Sequence, residues 1–256
     1  HFPNSIFKMK HLISRNEALI NEVFASFIGS WQKRFDPRED LYLTEAGVYY
    51  DWDLQKERYF SQEEIDELNA LELKGFLDLK DDIEIKQLTN SAELKYNLAT
   101  ADIFLYAKEL GKTLEKLSQE LNSELIFLLD FSVPWLSQKN SYKPVKQALK
   151  YLKKMGVTDD FVGGFRYKGE ELTEFVSHLF WIIRCNASLP YCWFSTDKHE
   201  FVGNICKHGN IHLYTYSEKI NETMQEFAQK YGLIEIEVCI EAFTESSGIK
   251  GRQIVV

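Results

Sequence analysis

The sequence has no apolar run long enough to cross a bilayer as a helix. Its longest strongly apolar stretches, Leu125 to Leu129 and Leu179 to Ile183, fall far short of the roughly 18 residues that a membrane span needs. The start of the chain also lacks the basic segment and apolar segment of a secretory signal. We therefore expect a cytoplasmic protein that binds no membrane, with residues 1–9 as leader residues outside the folded domain.

Cysteine is scarce, and its spacing differs from that of a zinc knuckle or a redox dithiol. The four cysteines are Cys185, Cys192, Cys206 and Cys239, so no two of them form a CxxC pair. Four cysteines in 256 residues are also few for a secreted disulfide scaffold. We expect buried or free thiols in a reducing compartment. A disulfide between Cys185 and Cys192 is the alternative, if the loop between them folds back.

The sequence contains neither a nucleophile elbow nor a glycine-rich phosphate loop, so the catalytic candidates are isolated residues. Asp130 directly follows the most apolar segment, and carboxylates at the ends of buried strands often line a crevice. His178 or His199 would then be the base of a hydrolytic site. The simpler interpretation is that Asp130 caps a turn and that His178, at the edge of an apolar helix stripe, is structural.

A second catalytic candidate is the tripeptide Glu84-Ile85-Lys86 on a predicted strand. In restriction-type nucleases the carboxylate of an ExK tripeptide holds a divalent metal, and the lysine polarises the attacking water. The partner carboxylate would be Asp51 or Asp53. The same tripeptide pattern recurs at Glu72 and at Glu93, so it carries little information about function.

Negative charge is concentrated in one part of the chain. The formal net charge is -9, and residues 36–86 contain 16 acidic but only 6 basic side chains. An acidic surface repels nucleic-acid phosphates and attracts basic partners, so we expect no nucleic-acid binding. The segment is either a solvated face or a binding surface. The candidate binding residues are Asp51, Asp53, Asp81, Asp82 and Glu84.

Hydrophobic periodicity predicts an α+β fold, with a mixed, largely antiparallel sheet packed against amphipathic helices. Leu125 to Leu129 is predicted to be a central strand buried on both faces. One helix is predicted to start at Ser14 and continue through Trp31, and another to run from Asn90 to Leu110, where Gly111 ends it. We expect a single globular domain over residues 10–256, with a weak boundary within residues 132–142.

Cys206, His208 and His212 have a CxHxxxH spacing, which is compatible with a metal site. Residues 208–210 predict a tight turn between two strands. With a two-residue turn, Cys206 lies on the same sheet face as Ile211, whereas His212 lies on the opposite face. Only a bulge would bring the three side chains together. We therefore expect these three residues to be polar side chains that flank a turn, and we expect no metal site.

The lack of a complete catalytic motif and the concentration of charge favour a protein without enzymatic activity and without a cofactor. We expect a protein-binding module, for example an inhibitor or immunity-type partner of a basic protein, that uses residues 36–86. A metal-dependent hydrolase or nuclease-like enzyme is the first alternative. A structural subunit of a complex is the second, because aromatic residues make up 14% of the chain and would form a patch if exposed.

Overall fold

The structure is a computed structural model that describes most of the chain from residue 11 onward. The described residues are 11–34, 48–51, 56–59, 61–63, 77–79, 92–100, 102–137, 139–186, 189–239, 243 and 250–251. The strands are β1 (Leu12–Ile13), β2 (Val48–Asp51), β3 (Lys56–Tyr59), β4 (Ala92–Asn97), β5 (Leu125–Leu129), β6 (Gly164–Tyr167), β7 (Cys192–Ser195), β8 (Phe201–Ile205), β9 (Ile211–Thr215) and β10 (Ile234–Glu235). The helices are α1 (Arg15–Ala18), α2 (Glu22–Arg34), α3 (Ile103–Glu120), α4 (Lys143–Lys154), α5 (Glu171–Cys185) and α6 (Glu218–Tyr231).

Eight of the described strands form one antiparallel sheet, in the order β1-β6-β5-β7-β8-β9-β4-β10, and β2 pairs with β3 in a separate hairpin. The fold class is α+β, as predicted. Both edge strands, β1 and β10, are only two residues long, and short edges limit unwanted pairing with other chains. In the described part of the chain, no helix has the length and apolar character needed to cross a bilayer.

The core occupies both faces of the sheet, because successive side chains of a strand point to opposite faces. Phe127 of β5 belongs to the larger apolar cluster, which includes residues of α3, α4, α5 and α6. Ile126 and Leu128 belong to a smaller cluster that includes residues of α2. Every residue of β5 is buried, which confirms the predicted central strand.

The predicted first helix is in fact two helices. Ser14 starts α1 with a capping box, but that helix is only four residues long. Asn21 then starts α2, because its Oδ1 accepts hydrogen bonds from the backbone N–H groups of Val23 and Phe24 at 2.9 and 3.3 Å. Its Nδ2 also donates to the carbonyl of Thr196 at 2.7 Å. A contact with a distant segment therefore fixes the break between the two helices.

Residues 92–97 form a strand where the sequence pattern predicted the first part of a long helix. This strand, β4, pairs with β9 on one side and β10 on the other. Buried Leu94 and Tyr96 alternate with the more exposed Glu93 and Lys95, which is the period of a strand. The helix prediction is wrong over this stretch because cross-strand pairing outweighs a local capping pattern.

Helix α3 starts later than predicted and continues through the glycine that was expected to end it. Its N-cap is Asp102, whose Oδ1 accepts a hydrogen bond from the backbone N–H of Leu105 at 2.7 Å. Gly111 lies so close to α5 that a Cβ there would overlap the backbone of Thr173. The glycine therefore permits a close approach of two helices, and its place in the sequence was mistaken for a helix end.

We expect Gly111→Ala to lower the free energy of unfolding by about 2 kcal/mol, because the added methyl group meets backbone atoms that cannot move aside. At an open helix position the same change would stabilise the protein by up to about 1 kcal/mol. Lys108→Ala, at an exposed position of α3, is the control and should change the value by less than about 0.5 kcal/mol. Urea denaturation measures both variants, and a stabilised Gly111→Ala protein would contradict the close approach.

Candidate metal centre

The connection between β8 and β9 determines which side chains lie together. Asn204 pairs with His212, and the backbone N–H of Cys206 donates to the carbonyl of Asn210 at 3.0 Å. The connection is therefore three residues long, 207–209, and the predicted two-residue turn is wrong. Because directly opposed residues share a face, this register places Cys206 and His212 on the same face of the sheet.

Gly209 allows this three-residue connection. Its φ of 89° lies in the left-handed region, which favours glycine over other residues. Its N–H donates to the carbonyl of Cys206 at 2.8 Å, and its carbonyl accepts a hydrogen bond from the hydroxyl of Tyr106 at 3.1 Å. Since Tyr106 belongs to α3 and is fully buried, the connection is fixed against the core, and the position of Cys206 is fixed with it.

A third donor, Cys239, reaches the same place from the edge of the sheet. Just after β10, the backbone N–H of Ile236 donates to the carbonyl of Lys95 at 2.9 Å. The Nζ of Lys95 lies 3.5 Å from the carbonyl oxygen of Glu237. Cys239 then contacts His212 on β9. In the sheet, β4 lies between β10 and β9. The chain after β10 therefore crosses over β4.

The donor atoms of Cys206, His212 and Cys239 lie within 4.8 Å of one another, and each side chain is partly buried. The two sulfurs are 3.9 Å apart, and Nε2 of His212 is 2.9 Å from Sγ of Cys239. Tetrahedral zinc, with Zn–S of about 2.3 Å and Zn–N of about 2.0 Å, needs about 3.8 Å between two sulfurs and about 3.5 Å between sulfur and nitrogen. The sulfurs have the required spacing, and the imidazole needs to shift by about 0.6 Å.

The second ring nitrogen of His212 contacts a carboxylate. Its Nδ1 lies 3.4 Å from Oε1 of Glu93, and that oxygen accepts a hydrogen bond from the hydroxyl of Tyr214 at 2.9 Å. The Nζ of Lys95 lies 3.3 Å from the other oxygen of Glu93. Metal-binding histidines commonly donate their free N–H to such a carboxylate, which orients the ring. The arrangement leaves Nε2 directed at the two sulfurs.

Burial and hydrogen bonding set the ionisation of these two side chains. Burial lowers the pKa of His212 more than the nearby Glu93 carboxylate raises it, so the imidazole is neutral at neutral pH, as a metal ligand must be. Burial raises the pKa of Glu93, but the hydrogen bonds from its three partners outweigh burial and leave that pKa lowered. Glu93 is therefore an ionised carboxylate, which can accept a hydrogen bond from the Nδ1–H group of His212.

The sulfur of Cys206 is surrounded by N–H donors. The backbone N–H groups of His208 and Asn210 both bond to it, and the side-chain Nδ2 of Asn210 lies 3.7 Å from it. Burial, followed by the nearby Cys239, raises the pKa of the Cys206 thiol to about 11, and the two backbone donors lower it by less. In the metal-free protein Cys206 is therefore a neutral thiol at neutral pH, and metal binding would release its proton.

The group of three differs from the trio with the CxHxxxH spacing, for which the sequence favoured no metal. Among the described residues it contains Cys206 and His212, with Cys239 as the third member and without His208. His208 lies on the β8–β9 connection. Cys206 and Cys239 are 33 residues apart, and no spacing rule for metal ligands covers that separation. The fold was needed to find the third donor.

Asp130 follows β5, as predicted, and its backbone carbonyl belongs to a buried polar cluster. Arg15 donates to the carbonyl of Leu129 at 2.9 Å and to that of Asp130 at 3.1 Å. Gln32 donates to the same Asp130 carbonyl at 2.6 Å. Both side chains also bond to the carboxylate of Asp78. The cluster satisfies the last carbonyls of a central strand, which must not be buried without partners.

The carboxyl group of Asp130 is poorly satisfied. Its Oδ1 accepts a hydrogen bond from the backbone N–H of Phe131 at 3.0 Å. Its Oδ2 and the indole nitrogen of Trp193 are buried, and the indole N–H approaches the carboxyl group without the geometry of a full hydrogen bond. Burial raises the pKa of Asp130 to about 7, while the Trp193 indole, the Phe131 N–H and the Arg15 charge lower it by less. A buried carboxyl group of this kind takes up a proton more readily than an exposed one.

The proposed bases of a hydrolytic site lie elsewhere. His178 stacks on Tyr151 with ring centroids 4.4 Å apart, and burial lowers its pKa. Nδ1 of His199 lies 3.0 Å from Oγ1 of Thr196. Within the part of the chain that the structure describes, no contact joins either histidine to Asp130. The described residues therefore do not bring together an Asp130 catalytic site.

The other predicted site residues cannot be placed in the same way. Asp53, Asp81, Asp82, Glu84 and Lys86 lie outside the described residues, and Asp51 is the last residue of β2. The acidic binding surface and the ExK nuclease site therefore stay predictions.

No protein-family model, curated protein or solved structure matches the chain. Within the described residues, the arrangement with clear ligand chemistry is the group Cys206, His212 and Cys239. It combines two sulfurs at the spacing of zinc ligands, an imidazole oriented by Glu93, and N–H donors around one sulfur.

We expect Asp130 to make the stability of the protein depend on pH. Its pKa is about 7 in the folded protein, against an ordinary value of 3.8 that we take for the unfolded chain. Between these values the folded state keeps a proton that the unfolded state releases. The free energy of unfolding therefore falls as the pH rises from 3.8 to about 7, and then levels off. The full difference is on the order of 4 kcal/mol.

Asp130→Asn should remove this contribution, because the amide does not titrate and its Oδ1 still accepts the Phe131 N–H. Urea denaturation across the same pH range measures the slope in both proteins. Asp159→Asn, at an exposed aspartate, is the control and should keep the wild-type slope. If Asp130→Asn also kept the wild-type slope, another titrating group would be responsible for the pH dependence.

Proposed function

We propose that the protein binds one zinc ion through Sγ of Cys206, Nε2 of His212 and Sγ of Cys239. The observation that carries this proposal is the meeting of these three donor atoms within 4.8 Å. They come from three different places in the fold: the residue directly after β8, the second residue of β9, and the chain after β10. Such a meeting requires the sheet to be complete, so the site belongs to the folded protein.

The donor atoms favour zinc over harder cations. Thiolate and imidazole ligands suit zinc, whereas magnesium and calcium prefer carboxylate, carbonyl and water oxygens. Two thiolates and one imidazole supply three of the four tetrahedral positions of zinc, and water or another group completes the set. The nearby carboxylate of Glu93 contacts the imidazole, where it supports the ligand from behind.

The role we propose for the metal is structural. The chain from β10 to Cys239 has little apolar burial, since Ile234 and Val238 are 48% and 72% exposed. A metal that joins Cys239 to two residues of the β8–β9 hairpin would hold this segment in place. Glu93 already bonds to Tyr214, Lys95 and His212, so it is placed to orient the imidazole and not to activate a metal-bound water.

The expectations drawn from composition remain compatible with this proposal. None of the four cysteines forms a disulfide in the structure, and a reducing compartment such as the cytoplasm would keep Cys206 and Cys239 available to the metal. A basic protein partner for residues 36–86 is supported by the concentration of negative charge there. A metal-dependent hydrolase is supported only by the presence of a possible metal site.

We expect the metal-free protein to bind one equivalent of Zn²⁺ in a titration with a competing chelator. Co²⁺ should give the intense near-ultraviolet absorption of thiolate-to-metal charge transfer. Cys206→Ser, His212→Ala and Cys239→Ser should each abolish stoichiometric binding, because each removes one ligand. His208→Ala is the matched control, since His208 lies on the same connection but outside the group, and it should bind as the wild type does.

The structural role predicts a gain in stability. With free Zn²⁺ at 100 times the dissociation constant, the wild-type free energy of unfolding should rise by about 2.7 kcal/mol. The Cys239→Ser protein should gain nothing. Equal gains in the two proteins, or a wild type that binds no zinc, would refute the proposal.

We expect Glu93→Gln to weaken zinc binding by about 10- to 100-fold without changing its stoichiometry, because the imidazole loses the carboxylate that orients it. Glu235→Gln is the matched control, since Glu235 is an exposed residue on the neighbouring strand β10, and it should leave the affinity unchanged. The same chelator competition measures both. An unchanged affinity in Glu93→Gln would show that the carboxylate does not support the ligand.

A further inference from the structure

We propose that Cys206 and Cys239 also form an oxidisable pair, which hydrogen peroxide converts to a disulfide when no metal is bound. The formation of the disulfide follows from the position of the two thiols alone. Its regulatory consequence rests on the proposed zinc site, because the disulfide would use two of the three ligands. Oxidation and zinc binding would then exclude each other.

The distance between the two sulfurs supports the disulfide. They are 3.9 Å apart, so they must approach by about 1.9 Å to reach the S–S bond length. Cys206 is held by its backbone hydrogen bond to Asn210, whereas Cys239 lies beyond the end of β10, so Cys239 is the residue that moves. The exposed neighbour of Cys239, Val238, shows that this part of the chain is open to solvent on one side.

The other two cysteines have a different environment. Cys185 and Cys192 are 0% and 2% exposed, and both belong to the larger apolar cluster of the core. A selective reaction at Cys206 and Cys239 is therefore expected from exposure as well as from distance.

Cys239 is the thiol that reacts first, since the sulfur of Cys206 is enclosed by the N–H groups of His208 and Asn210. Its sulfur attacks one oxygen of the peroxide, so that an S–O bond forms and the O–O bond breaks. The thiol proton joins the departing hydroxide as water, and Cys239 becomes a sulfenic acid.

The sulfur of Cys206 then attacks the sulfenic sulfur of Cys239. The S–S bond forms, the S–O bond breaks, and the departing hydroxide takes the Cys206 proton to give a second water. In total two thiols lose two electrons and two protons, and one peroxide is reduced to two waters. A dithiol reductant reverses the change.

The test treats the metal-free full chain with hydrogen peroxide, blocks the remaining thiols with N-ethylmaleimide, and analyses the digest by mass spectrometry. The expected result is a peptide pair linked through Cys206 and Cys239, with Cys185 and Cys192 recovered as blocked thiols. In Cys206→Ser, Cys239 should stop at the sulfenic acid, which dimedone traps. His208→Ala is the matched control and should give the same linked pair as the wild type.

A second arm repeats the oxidation with zinc-loaded protein, where the linked peptide should be lost or reduced at least about tenfold, because metal-bound thiolates are shielded. Absence of the linked pair in the metal-free protein, or linkage through Cys185 or Cys192, overturns the oxidisable pair even if zinc binds. If the disulfide forms at equal rates with and without zinc, Cys206 and Cys239 are an oxidisable pair, but oxidation and zinc binding do not exclude each other. That result would also overturn the proposed use of these two thiols as zinc ligands.

Discussion

The register between β8 and β9 controls both the core and the candidate metal centre. With Ile205 opposite Ile211, these two side chains enter the larger apolar cluster beneath the helices, while His212 and Tyr214 point to the other face. If the pairing of β9 shifted by one residue, its side chains would turn to the opposite faces of the sheet, and His212 would be buried in the core. Gly209 and the buried hydroxyl of Tyr106 hold the connection at the length that prevents this exchange.

Buried polar groups in this protein are stabilised in two different ways. Three backbone carbonyls and the Asp78 carboxylate surround the guanidinium group of Arg15 and accept its hydrogen bonds. Asp130, whose backbone carbonyl accepts one of these hydrogen bonds, has one carboxyl oxygen without a partner among the described residues, and its burial favours the neutral form. The guanidinium group is thus satisfied by hydrogen bonds, whereas the carboxyl group is stabilised by keeping its proton.

The parts of the fold that local signals determine could be predicted from the sequence. The apolar run of β5 was correctly predicted to be a buried central strand. The wrong predictions at residues 92–97 and at Gly111 have one cause, because segments distant in the sequence determine the structure at both places. Residues 92–97 form a strand because β9 pairs with them, and Gly111 lies within a helix because it packs against the backbone of Thr173. For the candidate site, Cys206 and His212 could be named, but only the path of the chain over β4 reveals Cys239.

The place of β4 between β9 and β10 has a consequence for the newly made chain. Glu93 leaves the ribosome 119 residues ahead of His212, which at ordinary translation rates is about 6 to 24 seconds. For that time both edges of β4 are without the partners that they have in the finished sheet. The charged side chains of Glu93 and Lys95, which later surround the imidazole, meanwhile make the unpaired strand a poor template for aggregation.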